Sequence, residues 1–217
     1  MKKLLPLAAA LLAFTLPATA QNWSLGVGSG PFFFGDFEER RIRVGTPEGG
    51  GDPVTLTLSG ATRAGALVDL ERAFADRWAV RLEGSFTHSE LSIRDESSDD
   101  GIHLDAGDLD VTTLALPLVF RINPNGAFRI HLHGGPAMAM YRVSADDEDG
   151  EATETSNEWG VLYGAGVAWW LSDRLAIEAN ASDITTSSPF EEDDELPGVT
   201  TKRPHNVHTT LGVRWRF

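Results

Sequence analysis

The closing stretch of the sequence restricts the fold more than any other. From Val207 onward the residues alternate in character: Val207, Thr209, Leu211, Val213, Trp215 and Phe217 share one parity, and His208, Thr210, Gly212, Arg214 and Arg216 the other. Successive side chains of an extended chain point to opposite faces, so this strand has an oily, aromatic face backed by a small or charged one. Such a strand suits a wall with lipid outside and a polar lumen inside.

The same period of two recurs upstream in seven further segments. They run from about Trp23, Val54 to Glu71, Arg77 to Ile93, Val111 to Ile122, Phe128 to Tyr141, Trp159 to Leu171 and Leu175 to Ile184. Leu56, Leu58, Val68, Trp78, Leu82, Phe86, Leu114, Leu116, Leu132, Val161 and Val167 take the outward parity. Pro117 and Pro136 are awkward inside strands, because proline donates nothing to a ladder and usually marks an edge or a bulge.

The connections are of two unequal kinds. Ala73 to Asp76, Asn123 to Gly126, and Ser172-Asp173 are short, whereas about Ser29 to Pro53, Asp95 to Leu109, Ser144 to Glu158 and Thr185 to Pro204 are long and polar. That asymmetry predicts an all-β, eight-stranded antiparallel up-and-down transmembrane β-barrel, with the short turns periplasmic. Trp23, Trp78, Phe120, Phe128, Trp169, Trp215 and Phe217 all sit beside a short turn or a terminus with outward parity. They form the expected headgroup-level girdle on that side.

Thr210, Gly212, Trp215 and the final Phe217 resemble the C-terminal sorting signal of bacterial outer-membrane β-barrels. The whole set of segments resembles the small eight-stranded barrels of the OmpA, OmpX and opacity-protein type. The resemblance implies recognition by the barrel-assembly machinery, closure of the last strand against the first, and contact with outer-membrane lipid and lipopolysaccharide. A monomer in the cell outer membrane is expected.

The other end of the sequence agrees with export. Lys2 and Lys3, an apolar run from Leu4 to Leu16 and Ala18-Thr19-Ala20 read as a secretory signal peptide over residues 1–20, leaving a barrel domain over 21–217. No run reaches the roughly 18 to 20 apolar residues of a spanning helix. The formal net charge of −14 argues against nucleic acid as a partner. With no cysteine, neither a disulfide scaffold nor a thiolate metal site can form.

The inward parity collects the residues that could carry chemistry: Arg63, Asp69, Glu71, Arg81, Glu83, Arg121, Arg129, His131, His133, Glu178, His208, Arg214 and Arg216. Eight strands leave an interior that side chains can fill, so mixed charges there predict an ion-paired plug, with a narrow pore for ions or small solutes as the alternative. His131 and His133 lack a third ligand for zinc, and Arg129 in the same row repels a cation, so neither metal nor cofactor is expected. His88, Glu90 and Ser92 resemble, in residue types only, an outer-leaflet lipid A-modifying enzyme. Along one strand His88 and Ser92 are about 13 Å apart, too far for a nucleophile and its base. Three acidic clusters, Asp95 to Asp100, Asp146 to Glu151 and Glu191 to Glu195, would decorate the long loops. The function expected is therefore non-enzymatic: a structural or surface-interaction role.

Overall fold

The computed structural model describes residues 23–44, 52–95, 103–147, 150–187, 199–201 and 203–217. Its strands are β1 (Trp23–Phe34), β2 (Asp36–Val44), β3 (Asp52–Gly60), β4 (Arg63–Ala73), β5 (Trp78–Asp95), β6 (His103–Ala115), β7 (Leu118–Arg121), β8 (Phe128–Asp147), β9 (Gly150–Trp170), β10 (Leu175–Thr186), β11 (Val199–Thr201) and β12 (His205–Arg216). Every pairing is antiparallel. The wall has eight members in the order β1, β4, β5, β6 with β7, β8, β9, β10 and β12, and β12 returns to β1. Closure leaves the wall no free edge.

The seam runs from Ser24 opposite Arg216 to Phe34 opposite Asn206. Its lower end is fastened by the Phe217 amide, which donates to the Trp23 carbonyl at 3.1 Å. Gly212 has a steric reason at this seam. A Cβ there would run into the carbonyl of Val27 and the Cα of Gly28 on β1, so only glycine lets the two strands approach with this curvature.

The burial pattern is that of a soluble protein turned inside out. Leu25, Val27, Val68, Phe86, Leu114, Leu132, Val161, Leu211 and Val213 are exposed, while Arg81, Arg214, Glu71 and Glu178 are buried. No helix in the described residues is long and apolar enough to cross a membrane; the crossing is made by strands. Near the short turns, Trp78, Phe128, Trp169, Trp215 and Phe217 are exposed, and the rings of Trp78 and Phe120 lie 4.8 Å apart.

Both prolines are accommodated without a slip of register. The ladder is interrupted at Leu116-Pro117, which is why β6 and β7 are separate strands. Glu83 opposite Ala115 and Val80 opposite Leu118 nevertheless lie on one continuous register. The carbonyls still serve: Pro117 accepts from the Arg81 amide and Pro136 from the Leu116 amide, both at 3.0 Å.

The long connections differ most from expectation. β1 continues to Phe34, β2 occupies part of the first connection, and β8 and β9 run on to Asp147 and Gly150 as one tall hairpin. β2 and the tops of β8 and β9 carry polar residues on both faces, so their alternation shows no oily side. Hydrogen bonding to neighbouring strands still makes them extended. Residues 1–20 and the acidic positions 96–100, 148–149 and 191–195 lie outside the described residues.

One bulge corrects two expectations. Gly65 pairs with Thr87, but Gly60 pairs with Leu91, so four residues, Ala61 to Ala64, face only three, His88 to Glu90. The extra residue flips the parity above it. Leu58, expected outside, packs inward against the Leu91, Leu109 and Tyr141 cluster. Arg63, expected in the lumen, is exposed at the bulge and pairs with Glu90 at 2.5 Å.

Candidate functional site in the barrel lumen

Inward parity on neighbouring strands places the charged residues in layers. β4 supplies Asp69 and Glu71, β5 supplies Arg81 and Glu83, β10 supplies Glu178 and β12 supplies Arg214. Cross-strand register aligns them: Asp69 stands opposite Glu83 and Glu71 opposite Arg81. Two acids directly opposite an acid and a base would be a poor arrangement on a water-facing sheet. In a closed barrel the side chains also meet across the interior.

Arg81 is the hub, with 1% of its surface exposed. Its guanidinium reaches Glu71 at 2.8 Å on its own side of the wall and Glu178 at 3.1 Å across the lumen, with Asp69 at 3.5 Å. Arg214 is a second hub: it donates to Asp69 at 2.8 and 3.0 Å, to Glu178 through Nε, and to the Ser24 hydroxyl at 3.1 Å. Arg121 joins from below, 2.5 Å from the other oxygen of Glu71. Burial of an ion costs several kcal/mol unless it is paired and hydrogen-bonded. The forked guanidiniums go most of the way by serving several carboxylates each, although among the described residues Arg81 Nη1 and Glu83 Oε1 are buried without a hydrogen bond.

The histidines extend this layer upward. His131 Nε2 lies 3.0 Å from Asn180 Oδ1 and 3.5 Å from Glu178, and His133 Nε2 lies 2.8 Å from the Ser182 hydroxyl. His208 stacks on Phe32 with ring centroids 4.9 Å apart, its Nε2 3.7 Å from Glu83. Gly164 and Gly166 on β9 make this possible, since a Cβ at either would strike the rings of His133 and His131. Among the described residues, no group of three His, Asp or Glu is placed to hold a metal ion.

Above the ions the lumen mixes buried hydroxyls, among them Ser85, Thr87, Ser89 and Thr113, with apolar clusters. Leu91, Leu109, Val111, Ala139 and Tyr141 form one buried cluster, and Ala115, Ala137, Leu162 and Ile184 another. The Tyr141 hydroxyl is held by Thr186 at 2.9 Å and by the Asn206 amide at 2.6 Å. Below the ions, a cavity of about 380 Å³ opens at the short-turn mouth, lined by Arg121, Arg129 and Arg216 among others. Arg129 and Arg216 both lie over the ring of Trp170, at 4.9 and 3.9 Å.

The structure thus joins Asp69, Glu71, Arg81, Glu83, Arg121, His131, Glu178, His208 and Arg214 in the lumen. His133 adjoins them through Ser182, Arg129 and Arg216 belong to the mouth, and Arg63 is on the outer face. Ser24, Asn180, Ser182 and Trp170 complete the site; all carry inward parity, the signal that would have found them. Tyr141, Thr186 and Asn206 sit at or past the expected strand ends, where parity had faded. The His88, Glu90 and Ser92 trio is not assembled. His88 faces Asp110 at 2.8 Å and Asp108 at 3.6 Å, and Glu90 faces Arg63.

The sequence profile described as outer membrane protein beta-barrel domain matches residues 7–217. No curated protein matches the sequence. Solved structures share the fold at low identity. The outer membrane protein OprG from Pseudomonas aeruginosa is 14% identical, with 91% of this chain and 96% of that chain covered, at a TM-score of 0.59. A major outer membrane protein from Thermus thermophilus is 15% identical over 90% and 98%, at 0.52. The outer membrane protein AlkL, solved in DMPC bilayers, is 12% identical over 94% and 93%, at 0.51.

Proposed function

Because this chain belongs to the outer membrane protein beta-barrel domain family, we propose that it is a non-enzymatic, closed barrel that serves the envelope as a structural and surface-interaction protein. One observation carries this reading. Arg81 bridges from Glu71 on its own wall to Glu178 across the lumen, and every one of these side chains is at least 95% buried. A lumen crossed at mid-height by such a network, with Leu91, Leu109, Leu162 and Tyr141 buried above it, supports a closed interior over an aqueous channel. The tall extensions of β5, β8 and β9, with the acidic residues of their connections, are the surface offered to the exterior and to lipopolysaccharide. Residues 1–20 act as the export signal, and Thr210, Gly212, Trp215 and Phe217 as the assembly signal.

The test is electrical. Refolded protein inserted in planar bilayers is expected to give no discrete conductance steps; steps that change when Arg81 is replaced by Gln would make it a narrow pore instead. Cells expressing the protein are expected to show unaltered lipid A mass. A shift abolished by H88A would replace the non-enzymatic reading with that of a lipid A-modifying enzyme.

A further inference from the structure

The short-turn mouth is built unlike the lumen above it. In the lumen each guanidinium is engaged by carboxylates. At the mouth, Arg121 is engaged by Glu71, but among the described residues neither Arg129 nor Arg216 has a salt-bridge partner. Both are nonetheless fixed in place. Arg129 Nε donates to the Gly126 carbonyl at 3.1 Å, and both guanidiniums lie over the ring of Trp170. A cation–π contact uses the charge of a guanidinium and not its N–H donors, so those donors remain available for an anion.

Those edges share one open cavity of about 380 Å³, within the usual ~300–1,000 Å³ of small-molecule sites. Its lining includes three arginines and a single acid, Asp76, together with Trp23, Pro124 and Asn125. The acids whose charge bears on Arg216 are Glu71, already held by Arg81 and Arg121, and then Asp173 on the turn between β9 and β10. Three like charges held around one space repel one another, and a doubly charged oxyanion between them relieves that repulsion and takes up bidentate N–H pairs.

We propose that this mouth is an oxyanion-binding vestibule for a phosphate group, gripped by Arg129 and Arg216, with Arg121 at its inner edge. The phosphate comes either from a free periplasmic solute or from the headgroup of a neighbouring phospholipid, and the chemistry recognised is the same.

Inorganic pyrophosphate is the probe. Titrated calorimetrically into the refolded barrel in a non-ionic detergent, it should bind one per chain with a Kd below about 1 mM. The double variant R129Q/R216Q should weaken binding at least tenfold, while R63Q, on the outer face, should leave it unchanged. Folding of each variant is checked by heat-modifiable gel migration. If the double variant does not refold, R129Q alone carries the test, since it leaves the terminal strand untouched and should weaken binding about fivefold. In the same detergent, micelles doped with phosphatidylglycerol are compared with micelles carrying an equal charge of laurate: weaker binding than in laurate assigns the site to the headgroup, and equal binding assigns it to a free solute. Absence of saturable binding, or a Kd unchanged in the variants, overturns the proposal.

Discussion

Two ion pairs of the same composition stand at different places in this barrel. Arg81 and Glu71 meet at 2.8 Å with side chains 2% and 4% exposed; Arg63 and Glu90 meet at 2.5 Å with side chains 44% and 58% exposed. The closer pair is expected to be the weaker one. At the exposed site, solvent screens the attraction and each long side chain loses rotamer freedom to hold one geometry. In the lumen there is little solvent to screen or to substitute, so each charge depends on its partners. Burial, rather than separation, decides how strongly an ion pair acts.

The sharpest way to break that comparison is to remove the hub. In R81M, Asp69, Glu71 and Glu178 keep their charges but lose a guanidinium that all three share. Loss of one partner from a buried pair costs about 3–5 kcal/mol, because the remaining charge is stranded. Urea titration of the barrel refolded in micelles should show a loss of that order. The double variant R81M/E71Q should recover part of it, since it strands fewer acids. A loss below about 1 kcal/mol in R81M would mean that water reaches the network freely, and the contrast with the outer face would vanish.

The next effect comes from the space the network needs. Gly166 lies against His131 and Asn180, so G166V must push the imidazole off its hydrogen bond. Overpacking of this kind costs about 1–3 kcal/mol. Valine at the neighbouring outward-facing position, A165V, should cost far less, since Ala165 is exposed. Equal losses at the two positions would mean that the lumen is loosely filled.

A smaller effect separates the upper lumen from the ionic layer. Y141F removes a hydroxyl that accepts from Asn206 and bonds Thr186, leaving buried polar groups without it. The expected loss is about 1–3 kcal/mol, toward the low end because no charge is stranded. It should also be insensitive to salt.

What the sequence makes legible follows from the same physics. Wherever one face meets lipid and the other a polar interior, parity is unambiguous, so Val213, Leu132 and Val161 could be placed outside and Asp69, Arg81 and Glu178 inside from alternation alone. Above the lipid both faces of a strand are polar, and β2 and the tops of β8 and β9 read as loops although they are paired strands. The bulge at Ala61 to Ala64 was hidden because an inserted residue leaves no compositional mark beyond the small residues around it, and that single insertion misplaced both Leu58 and Arg63. Trp170 was overshadowed by Trp169, whose outward parity fitted the girdle. Which acid meets which base across the lumen depends on barrel closure, a property of all eight strands together and of none singly.

The smallest effect tests the exposed side of the comparison. A double-mutant cycle of R63Q and E90Q isolates the pair from everything else either residue touches. The coupling should be about 0–1 kcal/mol at low salt and should shrink as ionic strength rises, because both ends are in contact with solvent. This matters beyond the pair itself. His88 and Asp110 stand on the same outer surface at 2.8 Å, with exposures of 56% and 38%, and are subject to the same screening. A coupling above about 2 kcal/mol, undiminished by salt, would show that the bulge buries Arg63 against lipid rather than water. The outer face would then share the electrostatics of the lumen, and the bulge would be a second buried polar site instead of the upper border of the apolar belt.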